Sequence, residues 1–139
     1  MNVLLDTCVI SEIRRPNANP RVVNAVEGID ESAIYLSAIT IGEIVRGIER
    51  LESGRRRSGL EVWLEEIERN WNKRILPIDS AVARIWGEVS ARLARSGIVV
   101  TDADGLIAAS AIHYEIPVMT RNVRHFQHWG IQVIDPWSR

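Results

Sequence analysis

Five short apolar runs punctuate this chain, and stretches of helical spacing separate them. The runs are Val3–Leu5, Ala33–Leu36, Ile75–Ile78, Ile116–Met119 and Ile131–Ile134. Each is too short for a buried helix, and an unbroken apolar run suits a strand covered on both faces. Between them, Cys8–Arg14 reads as a short helix stopped by Pro16, and Asn19-Pro20 opens a second helix that ends at Gly28. Ile41, Ile44, Val45 and Ile48 share one helical face that fades near Leu51. A further helix, about Leu60 to Trp71, turns Leu60, Leu64 and Ile67 inward, and Arg55-Arg56-Arg57 before it reads as a basic exposed turn. Val82, Ile85, Trp86, Val89 and Leu93 form a stripe between Asp79 and Gly97, and Thr101 to Tyr114 is a last helix rich in small residues. Strands alternating with helices imply an α/β fold, a parallel sheet with helices on both faces and right-handed crossovers. No repeat, low-complexity tract or linker interrupts residues 1–139, which read as a single domain.

An apolar fraction of 46% and a charged fraction of 25% fit a soluble globular protein. No apolar run approaches the roughly 18 residues of a membrane span, and Asp6 interrupts the first run, so no secretory signal is expected. Cys8, the single cysteine, cannot pair within the chain; a reducing cytoplasm is the expectation, with Cys8 a small core residue rather than a nucleophile. A net charge of −1 excludes a protein that grips nucleic acid with its whole surface. Of the 17 basic residues only Lys73 is a lysine. That bias suits phosphate partners, and a genome rich in G and C produces it equally well.

Acids stand where this layout brings chain segments together. Asp6 follows the first strand directly, at the sheet edge where α/β folds collect their ligands. Glu43 lies in the first turns of the helix after the second strand, and Asp104 in the first turn of the helix from Thr101, heading a stripe through Ile107, Ala108 and Ala111. A carboxylate on an inward stripe is costly unless something pairs with it, and a hard divalent cation does so. Thr40-x-x-Glu43 and Thr101-x-x-Asp104 also fit the capping box, so either acid can instead serve a helix start, as can Asp102. Asp6, at the exit of a central strand, has no such routine structural role. Thr120, Arg121 and Asn122 leave the fourth strand toward the same edge, either as a polar turn or as groups that contact a water or a phosphate. His113, His125 and His128 share no metal-binding spacing and read as surface or helix-end residues; the five tryptophans read as packing residues.

Taken together, Leu4-Leu5-Asp6-Thr7-Cys8-Val9-Ile10-Ser11-Glu12, Leu36-Ser37-Ala38-Ile39-Thr40-Ile41-Gly42-Glu43, Asp104-Gly105-Leu106-Ile107-Ala108-Ala109-Ser110-Ala111, and Val118-Met119-Thr120-Arg121-Asn122 with Phe126 resemble the four ordered motifs of PIN-domain proteins. The likeness is to the VapC-type and FitB-type toxins of prokaryotic toxin–antitoxin pairs, and Asp135-Pro136-Trp137 resembles their usual ending. The resemblance implies a three-layer α/β/α sandwich with strand order 3-2-1-4-5. It further implies an endoribonuclease dependent on Mg²⁺ or Mn²⁺, in which Asp6, Glu43 and Asp104 bind the metal and activated water cuts RNA. Thr120 and Asn122 are candidates to orient that water. A homodimer and a small VapB-type antitoxin, which often binds DNA and places a basic side chain near the acids, are the implied partners. Many relatives carry a fourth acid where this chain has Asn122 or His125.

Arg46, Arg50 and Arg121 are the candidate RNA contacts; Arg55 to Arg57 read as a solvated surface or as further phosphate contacts. Two other readings stand beside the nuclease. A phosphotransfer domain with Asp6 as nucleophile lacks the aspartate expected two residues later, where Cys8 stands. A PIN-like RNA- or partner-binding module with little or no catalysis is the other, motivated by the absent fourth acid.

Overall fold

The computed structural model describes residues 1–138. Five strands, β1 (Val3–Leu5), β2 (Ile34–Ser37), β3 (Ile75–Leu76), β4 (Val118–Met119) and β5 (Val133–Ile134), form one parallel sheet in the order β3-β2-β1-β4-β5. The strand order is the one the motifs implied. β1 lies at its centre, with Val3 opposite Ile34, Leu4 opposite Val118, and Leu5 opposite Met119.

Successive strand residues point to opposite faces, so β1 divides its three fully buried side chains between two cores. Val3 and Leu5 face the first, filled by α1 (Thr7–Arg14), α2 (Pro20–Glu27), α3 (Ala38–Glu49) and α4 (Arg55–Asn70) through Val9, Ile10, Val22, Ile44, Ile48 and Ile67. Leu4 faces the second, where α5 (Ser80–Arg95), α6 (Asp102–Tyr114) and α7 (Val123–Phe126) contribute Trp86, Val89, Ile107, Ala108, Ala111 and Phe126. These are the layers of an α/β/α sandwich, and they explain why the strands read as apolar runs rather than alternating ones.

Local chemistry sets the element ends. Asn19 caps α2 by accepting from Arg21 N at 2.9 Å, Ser37 caps α3 through Ile39 N at 3.1 Å, and Asp79 caps α5 through Val82 N at 3.0 Å. Gly97, at φ +80°, closes α5: its N–H reaches Ala94 O at 3.0 Å, and Ile98 N reaches Leu93 O at 2.9 Å. That pair of bonds needs a left-handed residue, which glycine supplies without strain.

Several boundaries depart from the sequence reading. β3 stops at Leu76 because Pro77 has no N–H to extend the ladder, and β4 and β5 shorten to two residues each. Ala33 belongs to a 3₁₀ turn capped by Asp30 rather than to β2. The turn expected at Arg55 to Arg57 is instead the first turn of α4. Positive side chains are unfavourable at a helix N-terminus; Arg57 is compensated by Glu49 Oε2 at 2.8 Å and Leu51 O at 2.9 Å. The polar exit from β4 winds into the short helix α7.

Gly105, in the first turns of α6, lies against α5: a Cβ there would stand 2.9 Å from Trp86 Cδ1 and Nε1 and 3.3 Å from Trp129. Gly105→Ala should therefore lower unfolding free energy by about 1–3 kcal/mol, the cost of overpacking. Gly59→Ala on α4, where nothing lies within 4 Å, should instead raise it by up to about 1 kcal/mol through helix propensity. Denaturant titration of the two variants checks the contrast.

Candidate active site

Every strand of a parallel sheet delivers its carboxyl end to the same edge, and near this edge Asp6 at the start of α1, Glu43 on α3 and Asp104 at the start of α6 come close enough to feel one another's charge. Asp6 continues the β1 ladder, its N–H bonding Met119 O at 2.9 Å. Its carboxylate then caps α1, with Oδ1 accepting from Thr7 N at 2.8 Å. Asp6 thus does have a structural role, which corrects the sequence reading; a capping acid needs only one oxygen for it. The second oxygen, Oδ2, accepts from the Thr120 hydroxyl at 2.7 Å. Thr120 is fully buried at the exit of β4, where its own N–H bonds Ile134 O, and its Oγ1 also accepts from Asn122 N at 2.9 Å. Asn122 therefore joins this network through its backbone; its side chain does not cap α7.

Glu43 sits on the second turn of α3. Ser37 caps that helix, so the capping explanation through Thr40 does not hold. Glu43 Oε1 accepts instead from the Thr7 hydroxyl at 2.5 Å, and the Thr7 and Thr40 hydroxyls lie 3.0 Å apart. Thr7 links the first two acids: its N–H serves Asp6 and its hydroxyl serves Glu43.

Asp104 is different. Thr101 caps α6 by accepting from Asp104 N at 3.3 Å, as the capping pattern anticipated. The Asp104 side chain, only 14% exposed, turns its Oδ2 to His125 Nδ1 at 2.7 Å. His125 is exposed near the end of α7, in keeping with a helix-end residue, yet sequence reasoning missed this contact because the two residues share no local spacing. The one available signal was that His125 stands where many relatives place an acid.

The acids feel one another. Burial pushes the Asp6 carboxyl above the usual carboxylate range; the Thr120 hydrogen bond opposes it, and the nearby Asp104 charge adds to it. Glu43 is raised by burial as well, with the Thr7 bond opposing, Asp6 and Asp104 adding, and Arg46 opposing. Among the described residues, neither Asp6 nor Glu43 forms an ion pair. Cys8 lies between Asp6 Oδ2 at 3.5 Å and Thr120 Oγ1 at 3.7 Å, and burial pushes its thiol up to about 11, so it stays protonated.

This donor set suits a hard divalent cation: carboxylate oxygens, hydroxyls and an uncompensated negative charge. These hydrogen bonds leave each carboxylate with free lone pairs. Among the described residues, no three His, Cys, Asp and Glu side chains are already drawn together into a chelating cluster. Each acid is turned onto its own donor, Thr7, Thr120 or His125.

The outlying candidates divide. Arg46 lies within electrostatic reach of Glu43, whereas Arg50 is the exposed residue that ends α3. Arg121 stacks on Trp137, 5.3 Å from the ring centroid. Asp102 is exposed at the start of α6, and Arg55 and Arg56 are exposed on α4. A groove of about 210 Å³ between α1, α3 and α4 opens on Thr7 and Glu43 and is lined by Arg14, Ile44, Ile48, Arg56, Leu60 and Trp63. Larger cavities of about 520 and 610 Å³ lie where β4 and β5 begin and beside α2, away from the acids.

The PIN-domain family profile matches residues 3–130. This chain is a PIN-domain protein. It is 38% identical over 136 residues to the toxin FitB of Neisseria gonorrhoeae, covering 97% of this chain and 98% of that one. To the VapC ribonuclease Y4jK of Sinorhizobium fredii it is 34% identical over 137 residues, 98% of each chain. A solved structure of FitAB bound to a DNA fragment superposes with a TM-score of 0.91 at 36% identity, over 99% of this chain and 96% of the other. The PIN-domain chain is thus of the FitB and VapC type, and its sheet order matches that of its fold relatives.

Because the folded Asp6 and Glu43 hold protons more tightly than the unfolded chain, their contribution to stability is greatest below the ordinary carboxylate range. It falls as pH rises through the raised folded values. Asp6→Asn keeps a capping oxygen and removes the charge, so it should raise the melting temperature of the metal-free protein at neutral pH. The gain should shrink on acidification toward about pH 4, as scanning calorimetry across that range would report.

Proposed function

We propose that this protein is the toxin of a toxin–antitoxin pair and acts as a metal-dependent endoribonuclease. The observation that supports the reading is that Asp6, Glu43 and Asp104 lie near enough to feel one another's charge, with two of the three carboxyls raised and no cationic side chain paired to those two. Asp6, Glu43 and Asp104 would hold Mg²⁺ or Mn²⁺. The ion supplies activation of water and stabilisation of the charge that develops on the phosphodiester.

The chain's own residues do the rest. Thr7 and Thr120 fix the rotamers of Glu43 and Asp6 with hydroxyl donors that carry no charge, so the site stays anionic. Asn122, beside Thr120 at the exit of β4, is the residue we assign to orienting the water. No protein nucleophile is required, and the protonated Cys8 offers none. Arg46, Arg121 and, further out, Arg50 are the contacts we assign to the RNA backbone, since guanidinium groups suit phosphate. The name VapC ribonuclease, carried by the relative at 34% identity, supports RNA as the substrate.

An antitoxin partner, expected from the FitAB likeness, fits the groove between α1, α3 and α4. Its apolar walls suit an amphipathic segment, and its end at Glu43 suits a basic side chain from that segment. A homodimer and a cytoplasmic setting belong to the same reading. Among the described residues, no helix is long and apolar enough to cross a membrane.

The test is cleavage of structured RNA by antitoxin-free protein. Activity should require Mg²⁺ or Mn²⁺, stop in chelator, and fall about 100-fold or more in Asp6→Asn, Glu43→Gln and Asp104→Asn, the loss expected when a metal ligand goes. Cleavage that persists in chelator would sink the metal-dependent reading, and metal binding without any cleavage would favour an RNA-binding module. Separately, Gly47→Phe, which places a ring in the groove beside Ile48, should weaken capture of a FitA- or VapB-type antitoxin in a pull-down.

A further inference from the structure

An ionised carboxylate only accepts hydrogen bonds, so the 2.7 Å contact to Asp104 Oδ2 requires the proton of the His125 ring to be on Nδ1. The donor is firmly placed. His125 precedes Phe126, which is fully buried among Ile107, Ala108 and Val118, so α7 is pinned to the second core by the next residue in the chain. Asp104 is pinned from its own side by the Thr101 cap and by Gly105 packed under Trp86. Two side chains 21 residues apart in sequence thus meet at one hydrogen bond, with His125 half exposed and Asp104 nearly covered.

The other two acids are held by hydroxyls. Asp104 takes its donor from an imidazole, a half-exposed side chain with ligand chemistry of its own. The bond from Nδ1–H fixes the plane of the carboxylate, and with it the direction of the lone pairs on Oδ1 and Oδ2 that stay free for an ion.

We propose that His125 is the positioning residue of the ion site. Its Nδ1–H locks Asp104 in one rotamer and so sets the direction in which the carboxylate meets the ion, and it works through Asp104 rather than by ligating the ion. The proposal rests on the reading of Asp104 as an ion-holding acid. Hydrogen-bonded partners of ligating carboxylates commonly govern affinity as strongly as this.

Calorimetric titration of Mn²⁺ into the full-length, antitoxin-free protein tests it, without reference to activity. His125→Ala should lose roughly 10–100-fold in affinity, the usual cost of removing such a partner. His125→Asn, whose amide N–H can stand where Nδ1–H stood, should recover most of it. An alanine variant with wild-type affinity overturns the proposal, and so does an asparagine variant as weak as alanine, which would make the ring a direct ligand through Nε2. In metal-free protein, ring-nitrogen spectra should show the Nδ1–H tautomer, lost in Asp104→Ala; its absence from the wild type also overturns the proposal. A wild-type protein that takes up no Mn²⁺ while showing that tautomer overturns the ion-site reading, and the positioning role of His125 falls with it.

Discussion

Carboxylates that feel one another's charge near one sheet edge stay there only if something holds them against their own repulsion. In this protein the holding is done by hydrogen-bond donors, and only one of them, His125, can itself carry charge. Thr7 serves two acids at once, its N–H to Asp6 and its hydroxyl to Glu43, while Thr120 takes the other oxygen of Asp6. Hydroxyls steer a carboxylate without neutralising it. An arginine in the same place would hold the acids more firmly and remove the attraction for a cation. The Asp6 and Glu43 carboxyls are raised by burial first and by their acidic neighbours second, which the hydroxyl bonds only partly offset.

The sheet makes this meeting possible. β1 is central, so its carboxyl end has neighbours on both sides: β2, which leads into the Glu43 helix, and β4, which ends at Thr120. Asp6 uses both its backbone and its side chain there, completing a ladder bond to Met119 and starting α1. An acid that caps a helix with one oxygen keeps the other for a second task, so structural and chemical roles coincide at one residue. That coincidence is why the choice between them posed by the sequence was too narrow for Asp6. For Asp104 the capping pattern was real, yet the cap is made by Thr101 to the Asp104 backbone, leaving the carboxylate free for His125.

Packing carries the site's precision. α6 brings Asp104 to the edge through a close approach to α5, where Gly105 leaves room for the Trp86 ring, and Phe126 anchors α7 beneath His125. On the other face, Ile44 and Ile48 seat α3 in the first core, so that Glu43 projects from the rim of the groove. Both cores therefore contribute to the position of the acids, although no core residue touches them chemically.

The sequence determined a good deal by itself. Apolar runs without alternation specified a covered parallel sheet, because a strand buried on both faces has no reason to alternate; Asn19-Pro20, Asp79 and Gly97 marked helix ends through purely local bonds. The four ordered motifs named Asp6, Glu43, Asp104 and Thr120 before any coordinate. Tertiary structure alone decided which donors the acids face. Thr7 reaches Glu43 across 36 residues, Thr120 reaches Asp6 across 114, and His125 reaches Asp104 across 21. It also decided that Arg55 to Arg57 begin a helix, since the apolar stripe that signals α4 starts only at Leu60. Periodicity and capping report on neighbours within a turn or two of chain. Hydrogen bonds between segments far apart are fixed only when two cores have closed and strand order has chosen which chain ends stand side by side.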